Sequence, residues 1–365
     1  MIEQNKKKDY QKIFIVFLIS RIILFLLATL ITGNGYKDVF YNFDVVHYLD
    51  IAQNGYTEYT SVFFPVLPLC MSFFNMLGIP VLGTMCFNTI LAFGAAILLY
   101  ELTDDVKSAI CFICSPIAIF TFITYTESLF VFFTLLILFL YRKEKYLAAG
   151  IALGIGVCCR HMTAMLFFSI FVVMFIKWVK KEISIKPILQ MYIPATILSL
   201  AYPIYLHFAF GDWNVFMDSQ FMYWAKISSN MVSSIMMDIQ YLSEDVSIVQ
   251  KIQVLYQFIL LMLMAMLIVF SINKVRKTKN ELDIICIIYL VFSIIAIYSS
   301  IRGIEMSPPS SSYYRYFYAC VPVYILPSMF KNKYSKIYRN VCSIGLNSVL
   351  SIAFAIFFYI NWFVA

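Results

Sequence analysis

The stretch "FDVVHYLDIAQNGY", residues 43–56, gathers Asp44, His47 and Asp50 in a chain of which only 13% is charged. On a helix, Asp44, His47 and Tyr48 stand at i, i+3 and i+4 and share one face. Ile51 and Ala52 extend that stripe, Asp50 leaves it, and Gly55 ends the helix. A carboxylate beside an imidazole suits a general base that deprotonates a hydroxyl. The competing reading is a solvated loop in which Asp44 is only an N-cap. The same three residues are metal-ligand types, but Asp50 faces away, so a divalent metal is not favoured and no cofactor is expected.

Four other places break an apolar setting. Glu127 and Ser128 lie in "TYTESLF", where Thr126 and Glu127 could equally cap the next helix and complement its dipole. Arg160 and His161 stand together, and Arg315 lies in "SSSYYRYFY". Cations at a membrane edge commonly serve an anionic ligand, and the arginine fork matches phosphate. The alternative is snorkelling to headgroups. Arg21 is expected to snorkel or to bond another helix and His207 to be structural; Lys226 could also serve an anion, but is expected to sit in an open loop. "FFPVLP", residues 63–68, reads as a Pro-bent hinge into the next span. Cys111 and Cys114 have metal-like spacing, but no second pair accompanies them.

What must position these residues is a helical membrane bundle. The chain is 62% hydrophobic and only 13% charged, against about 25% charged residues in an ordinary soluble domain. Apolar runs of about 18 or more recur without strand-like alternation, which excludes an outer-membrane barrel. Backbone groups in lipid must be satisfied within each span, so the spans are helices. We expect an all-α polytopic transmembrane bundle of about eleven spans, near 13–32, 79–100, 108–125, 127–142, 146–160, 162–178, 187–209, 252–273, 282–301, 313–330 and 340–363. A turn at "TYTES" brings Glu127 to a surface, and another at Arg160 and His161 divides residues 146–176. The first span is read as retained, because no cleavage site follows it.

The net charge of +7 follows from short basic loops rather than from a nucleic-acid surface. Residues 1–12, 101–107, 142–145, 177–186, 273–280 and 331–339 hold 20 of the 27 lysines and arginines. These segments are expected to be cytoplasmic. Asp44, Glu127, Arg160 and Arg315 then share the opposite face with the long loops 33–78 and 210–251, which should carry interfacial helices. Trp213, Trp224 and Trp362 suit that depth. One domain, 1–365, is expected, with no repeat and no disulfide framework.

In order and type these pieces resemble the GT-C class of polytopic glycosyltransferases. They are most similar to the GPI mannosyltransferase II (PIG-V-type) family and its bacterial relatives. The resemblance rests on "FDVVHYLDIAQNGY", "FFPVLP", "SPIAIFTFITYTESLF" with its trailing "AAGIALGIGVCCRHMTAML", and more loosely "SSYYRYFYACVPVY". Family members carry Trp-Asp where this chain has Phe43 and Asp44.

The resemblance implies a hexose, mannose by precedent, transferred with inversion from a polyprenyl-phosphate donor to a hydroxyl of a glycan or glycolipid acceptor. Asp44 would be the catalytic carboxylate, and His47 and Tyr48 would contact the acceptor. Glu127, Ser128, Arg160, His161 and Arg315 would complete the substrate site, with Arg160, Arg315 and His161 facing the leaving phosphate. The site would face out of a bacterial cell membrane, or into the lumen of a eukaryotic endoplasmic reticulum. Membrane lipid and substrates are the implied partners. A lipid or solute transporter, or an inactive assembly partner, are the rival classes. A transporter would place its ionisable groups near the midplane in repeated halves, which this chain does not show.

Overall fold

The computed structural model describes residues 2–33, 40–303, 308–310, 312–330 and 344–360, with side chains from residue 5 onward. It is a nearly all-α protein. In chain order its first elements are α1 (Ile2–Thr32), α2 (Asp44–Asn54), α3 (Val66–Met76), α4 (Pro80–Thr103), α5 (Val106–Ile113), α6 (Glu127–Arg142), α7 (Tyr146–Cys159), α8 (Thr163–Val179) and α9 (Ile185–Phe210). Then come α10 (Val215–Met222), β1 (Lys226–Ser228), α11 (Met231–Ser243), α12 (Ile248–Thr278), α13 (Glu281–Ile297), β2 (Ser300–Arg302), α14 (Tyr313–Ala319), α15 (Pro322–Ile325) and α16 (Leu346–Tyr359).

Four helices are long and apolar enough to cross a membrane: Asn5–Thr32, Pro80–Thr103, Ile185–Phe210 and Ile248–Thr278. They mark a membrane-embedded helical protein. The expected long loops do carry short helices, α2 and α3 in the first and α10 and α11 in the second.

Two expected spans are not continuous helices. Residues 114–126 leave the helix after Ile113 and hold only a short 3-10 turn, Pro116–Ala118. Pro116 supplies no amide hydrogen and disfavours a helical Ser115. Residues 313–330 divide into α14, α15 and a 3-10 turn at Leu326–Met329, with Pro322 and Pro327 at the starts of the second and third pieces. Of the expected last span, 346–359 is helical. Trp362, Lys37 and the basic loop 331–339 lie outside the described residues.

The unwound segment is buried throughout residues 115–126. Irregular backbone at membrane depth persists only where protein satisfies it. Arg21 of α1 donates to the Ala118 carbonyl at 2.7 Å and to Thr121 Oγ1 at 3.0 Å. Asn88 of α4 donates to the Ile123 and Tyr125 carbonyls, both at 2.9 Å. Ser128 donates to the Thr121 carbonyl at 3.0 Å. Arg21 therefore bonds an unwound segment rather than another helix. His207 stacks on Trp213 with ring centroids 3.9 Å apart, in keeping with a structural role.

Close packing of α7 on α9 fixes where α7 ends. Gly150 and Gly154 form a small-residue stripe that lets two backbones approach. A Cβ at Gly150 would stand 2.1 Å from the Met191 carbonyl oxygen, and one at Gly154 would stand 2.5 Å from Leu198 Cβ. The described basic segments meet at one end of the bundle. Lys6 reaches Glu101 at 3.4 Å, Arg142 the Leu102 carbonyl at 2.9 Å, and Lys177 Glu281 at 2.7 Å.

Gly150→Ala should therefore destabilise the protein by about 1–3 kcal/mol, the usual range for overpacking. Gly94→Ala meets only the rim of the Phe132 ring, at 2.9 Å, and should cost less. Thermal midpoints in one detergent decide it, and equal midpoints would refute the close helix contact.

Candidate active site

Glu127 is the first residue of α6 and is fully buried. The turn at "TYTES" thus carries it inward, not to a surface, and Thr126 makes no side-chain cap bond. An unpaired carboxylate at such a depth is prohibitive. Here Oε1 accepts a hydrogen bond from Arg160 Nη1 at 2.6 Å and another from Arg315 Nε. The guanidiniums are themselves shielded by rings. Arg160 lies 4.5 Å over Tyr316, and Arg315 lies 4.7 Å and 4.6 Å from the Phe120 and Tyr125 rings. Such stacking suits arginine's planar, weakly hydrated head.

Arg315 links this buried cluster to Asp44. Its Nη2 lies 3.6 Å from Asp44 Oδ2. Asp44 is not the helix cap. Phe43 holds that position at φ +55°, and the Asp44 amide donates to the Tyr125 hydroxyl at 3.3 Å. The left-handed conformation of a bulky residue is uncommon, and such strain concentrates at functional sites. It turns the Asp44 side chain, about a quarter exposed, toward an open cavity.

The cavity holds about 190 Å³. Asp44, Tyr48, Phe63, Phe64, Trp224 and Tyr313 line it, as do four cations, Arg160, Lys226, Arg302 and Arg315. It is a composite of distant segments. The carbonyls of Ser61 and Phe63 are both held by the Tyr202 hydroxyl of α9, at 2.6 and 2.9 Å. Trp224 donates to the Tyr59 carbonyl at 3.0 Å. The strands β1 and β2 pair antiparallel, with Lys226 opposite Arg302. Lys226 is thus not an open-loop residue. The sequence alone sets Lys226 in an open loop and does not single out Arg302, because a three-residue strand in a long loop has no periodic signal.

Of the other expected site residues, Tyr48 and His161 reach the cavity and His47 and Ser128 do not. His47 is one layer behind the wall, with ring centroids 5.3 Å from Phe63 and 5.2 Å from Trp224. Desolvation lowers its affinity for a proton, while Asp44 and Asp50 oppose that shift. Ser128 is buried on the Thr121 carbonyl. Tyr48 reaches the wall with its hydroxyl kept protonated by burial and by Asp44. His161 faces the cavity, but crowding by protein and then the Lys226 and Arg160 cations hold it well below its ordinary value. It is neutral at pH 7, so it adds no charge toward an anion. Among the described residues, no three His, Cys, Asp or Glu side chains gather to hold a metal.

Glu127→Gln should leave two buried guanidiniums without their counter-charge and cost about 3–5 kcal/mol. Asp50→Asn alters only a bond to Asn54 on the helix surface and should be nearly silent. Denaturant midpoints in detergent test the contrast. A Glu127→Gln protein as stable as the parent would show that the cluster is not what closes this end of the bundle.

Compared with family models, with curated proteins and with solved structures, the chain finds no match.

Proposed function

We propose that the protein is an inverting glycosyltransferase of GT-C type embedded in a membrane by multiple helices. It moves a hexose, mannose by the sequence resemblance, from a polyprenyl-phosphate donor to a hydroxyl of a glycan or glycolipid. The observation that carries this reading is the Asp44 carboxylate on the wall of a cation-lined cavity, held by an arginine that a buried glutamate fixes in place.

In this reading the acceptor oxygen attacks the anomeric carbon as its bond to the phosphate breaks. Asp44 takes the acceptor proton. Arg315 holds Asp44 in place, because its own position is set by Glu127. The cations of the wall stabilise charge that grows on the departing phosphate, which is the usual largest electrostatic contribution to catalysis. Phe63 and Trp224 offer flat apolar faces for a sugar ring, and His47 acts through them by fixing their positions. The cavity lies at the end of the bundle away from the basic rim, so the positive-inside bias puts it on the extracytoplasmic or luminal side.

Asp44→Asn keeps size and polarity but removes the basic oxygen. Transfer from a polyprenyl-phosphate mannose to a membrane lipid extract should fall roughly a hundredfold or more, the scale of positioned acid–base groups. Folding and donor binding should survive. A folded variant that transfers sugar at the normal rate would remove Asp44 from catalysis. For the orientation, a single cysteine at position 58, which is exposed, should react with an impermeant thiol reagent from outside only. Reaction from the cytoplasm alone would invert the assigned face.

A further inference from the structure

The first turn of α2 is held from outside the helix. Amides at the start of a helix have no partner within it, and a Ser, Thr, Asp or Asn just before the first turn commonly accepts one of them. Here Phe43 stands in that place, and its side chain has no polar atom. The Val45 and Val46 amides turn back to the Asn42 and Phe43 carbonyls, at 3.4 and 3.2 Å. The Asp44 amide instead donates to the Tyr125 hydroxyl, 81 residues away, at 3.3 Å.

Tyr125 has a second attachment at the same place. Its ring lies 4.6 Å from the Arg315 guanidinium, whose Nη2 is 3.6 Å from Asp44 Oδ2. One side chain thus touches the backbone of Asp44 with its oxygen and the counter-ion of Asp44 with its face. The two contacts can be told apart. Phe120 lies 4.7 Å from the same guanidinium, so the cation has another aromatic neighbour, whereas the bond to the Asp44 amide comes from the phenol. That bond matters because Arg315 attracts the Asp44 carboxylate from beyond hydrogen-bond range and does not fix how it is turned. The backbone that carries the carboxylate must supply its aim.

Tyr125 is itself firmly placed. It is fully buried, its ring packs on Phe120 and Phe358 at centroid distances of 5.3 and 6.2 Å, and its carbonyl accepts from Asn88 at 2.9 Å. Two residues later comes Glu127, which fixes Arg315. The unwound segment therefore grips both members of the Asp44–Arg315 pair.

We propose that Tyr125 is the positioning residue for Asp44: its hydroxyl holds the start of α2, its ring flanks Arg315, and together they set where the carboxylate stands in the cavity. The effect on turnover rests on the transferase reading, and the hold itself does not. In the transfer step the acceptor O–H bond breaks and its proton passes to Asp44. The acceptor oxygen bonds to the anomeric carbon, and the sugar–phosphate bond leaves its electron pair on the phosphate. A general base works within about 2.6–3.2 Å of the oxygen it serves. A misplacement of about 1 Å costs roughly a hundredfold. Tyr125 is not on the cavity wall, so it acts through Asp44 and Arg315 alone.

The test uses the full chain in detergent. Tyr125→Phe keeps the ring and deletes the oxygen. Hydrogen exchange read by mass spectrometry should speed up about fivefold in peptides spanning residues 43–48, the effect of losing one hydrogen bond. Tyr192→Phe removes a phenol bond to the Phe167 carbonyl, 2.9 Å long, between α8 and α9, and should leave those peptides unchanged. In transfer from a polyprenyl-phosphate mannose, Tyr125→Phe should lower kcat about ten- to hundredfold and leave the donor KM within about twofold. In an Asp44→Asn background it should cost nothing more, because it acts through the oxygen already lost. A tyrosine that only stabilises the fold would lower activity by the same factor in both backgrounds.

Exchange over 43–48 that ignores Tyr125→Phe would overturn the proposal. So would equal losses in the two backgrounds, or a loss confined to KM. The transferase reading fails separately. A parent protein that transfers no hexose, but whose exchange over 43–48 depends on Tyr125, removes the enzyme and leaves Tyr125 as the residue that holds Asp44.

Discussion

One oxygen atom, Glu127 Oε1, receives hydrogen bonds from two buried guanidiniums, and much of the cavity end of the molecule follows from that. A carboxylate with no exposed surface is stable only with close counter-charge, and removing one partner from such a cluster is strongly unfavourable. The requirement fixes the start of α6, the residue after α7 and the middle of α14 relative to one another. Through Arg315 it extends to Asp44 at the start of α2. The other oxygen of Glu127, Oε2, accepts no hydrogen bond among the described residues, so the pairing is one-sided.

The cluster needs a support that can turn Glu127 inward, and the unwound residues 114–126 provide it. A continuous helix there would carry the chain past the cavity. Breaking it exposes carbonyls that lipid cannot satisfy, and the remedy is local. Arg21 and Asn88, each from a long helix, donate to four acceptors in that segment. Polar side chains inside apolar helices thus serve here as substitutes for a helical hydrogen-bond ladder. The glycine contact of α7 with α9 sets the other side, because it leaves no room for α7 to slide and move Arg160.

The sequence made the helical class legible, along with the gathering of the basic segments at one end. It also grouped Asp44, Glu127, Arg160 and Arg315, since each interrupts an apolar run. Hydropathy did not distinguish the buried, unwound 114–126 from a span, because both are apolar throughout. It also set Glu127 at a surface, since a single chain does not show that two distant arginines converge on it. The i, i+3 spacing put His47 beside Asp44, but the loop carrying Phe63 and the segment carrying Trp224 stand between His47 and the cavity. The sequence sets Lys226 in an open loop and does not single out Arg302, because their meeting depends on a ribbon formed by residues 76 positions apart.

The separation of the partners in the buried cluster also has a temporal side. Arg160 follows Glu127 by 33 residues and Arg315 follows it by 188. At ~5–20 residues per second of synthesis, Arg160 emerges roughly 2–7 s after Glu127, and Arg315 only after about 10–40 s. Between the two arrivals the nascent chain therefore carries a provisional one-to-one ion pair, electrically neutral and fit for insertion. Arrival of α14 turns that pair into a three-body cluster and at the same moment brings the last wall of the cavity. A chain stalled before residue 315 keeps the Glu127–Arg160 pair but has no closed site, so competence comes late in synthesis rather than along the way.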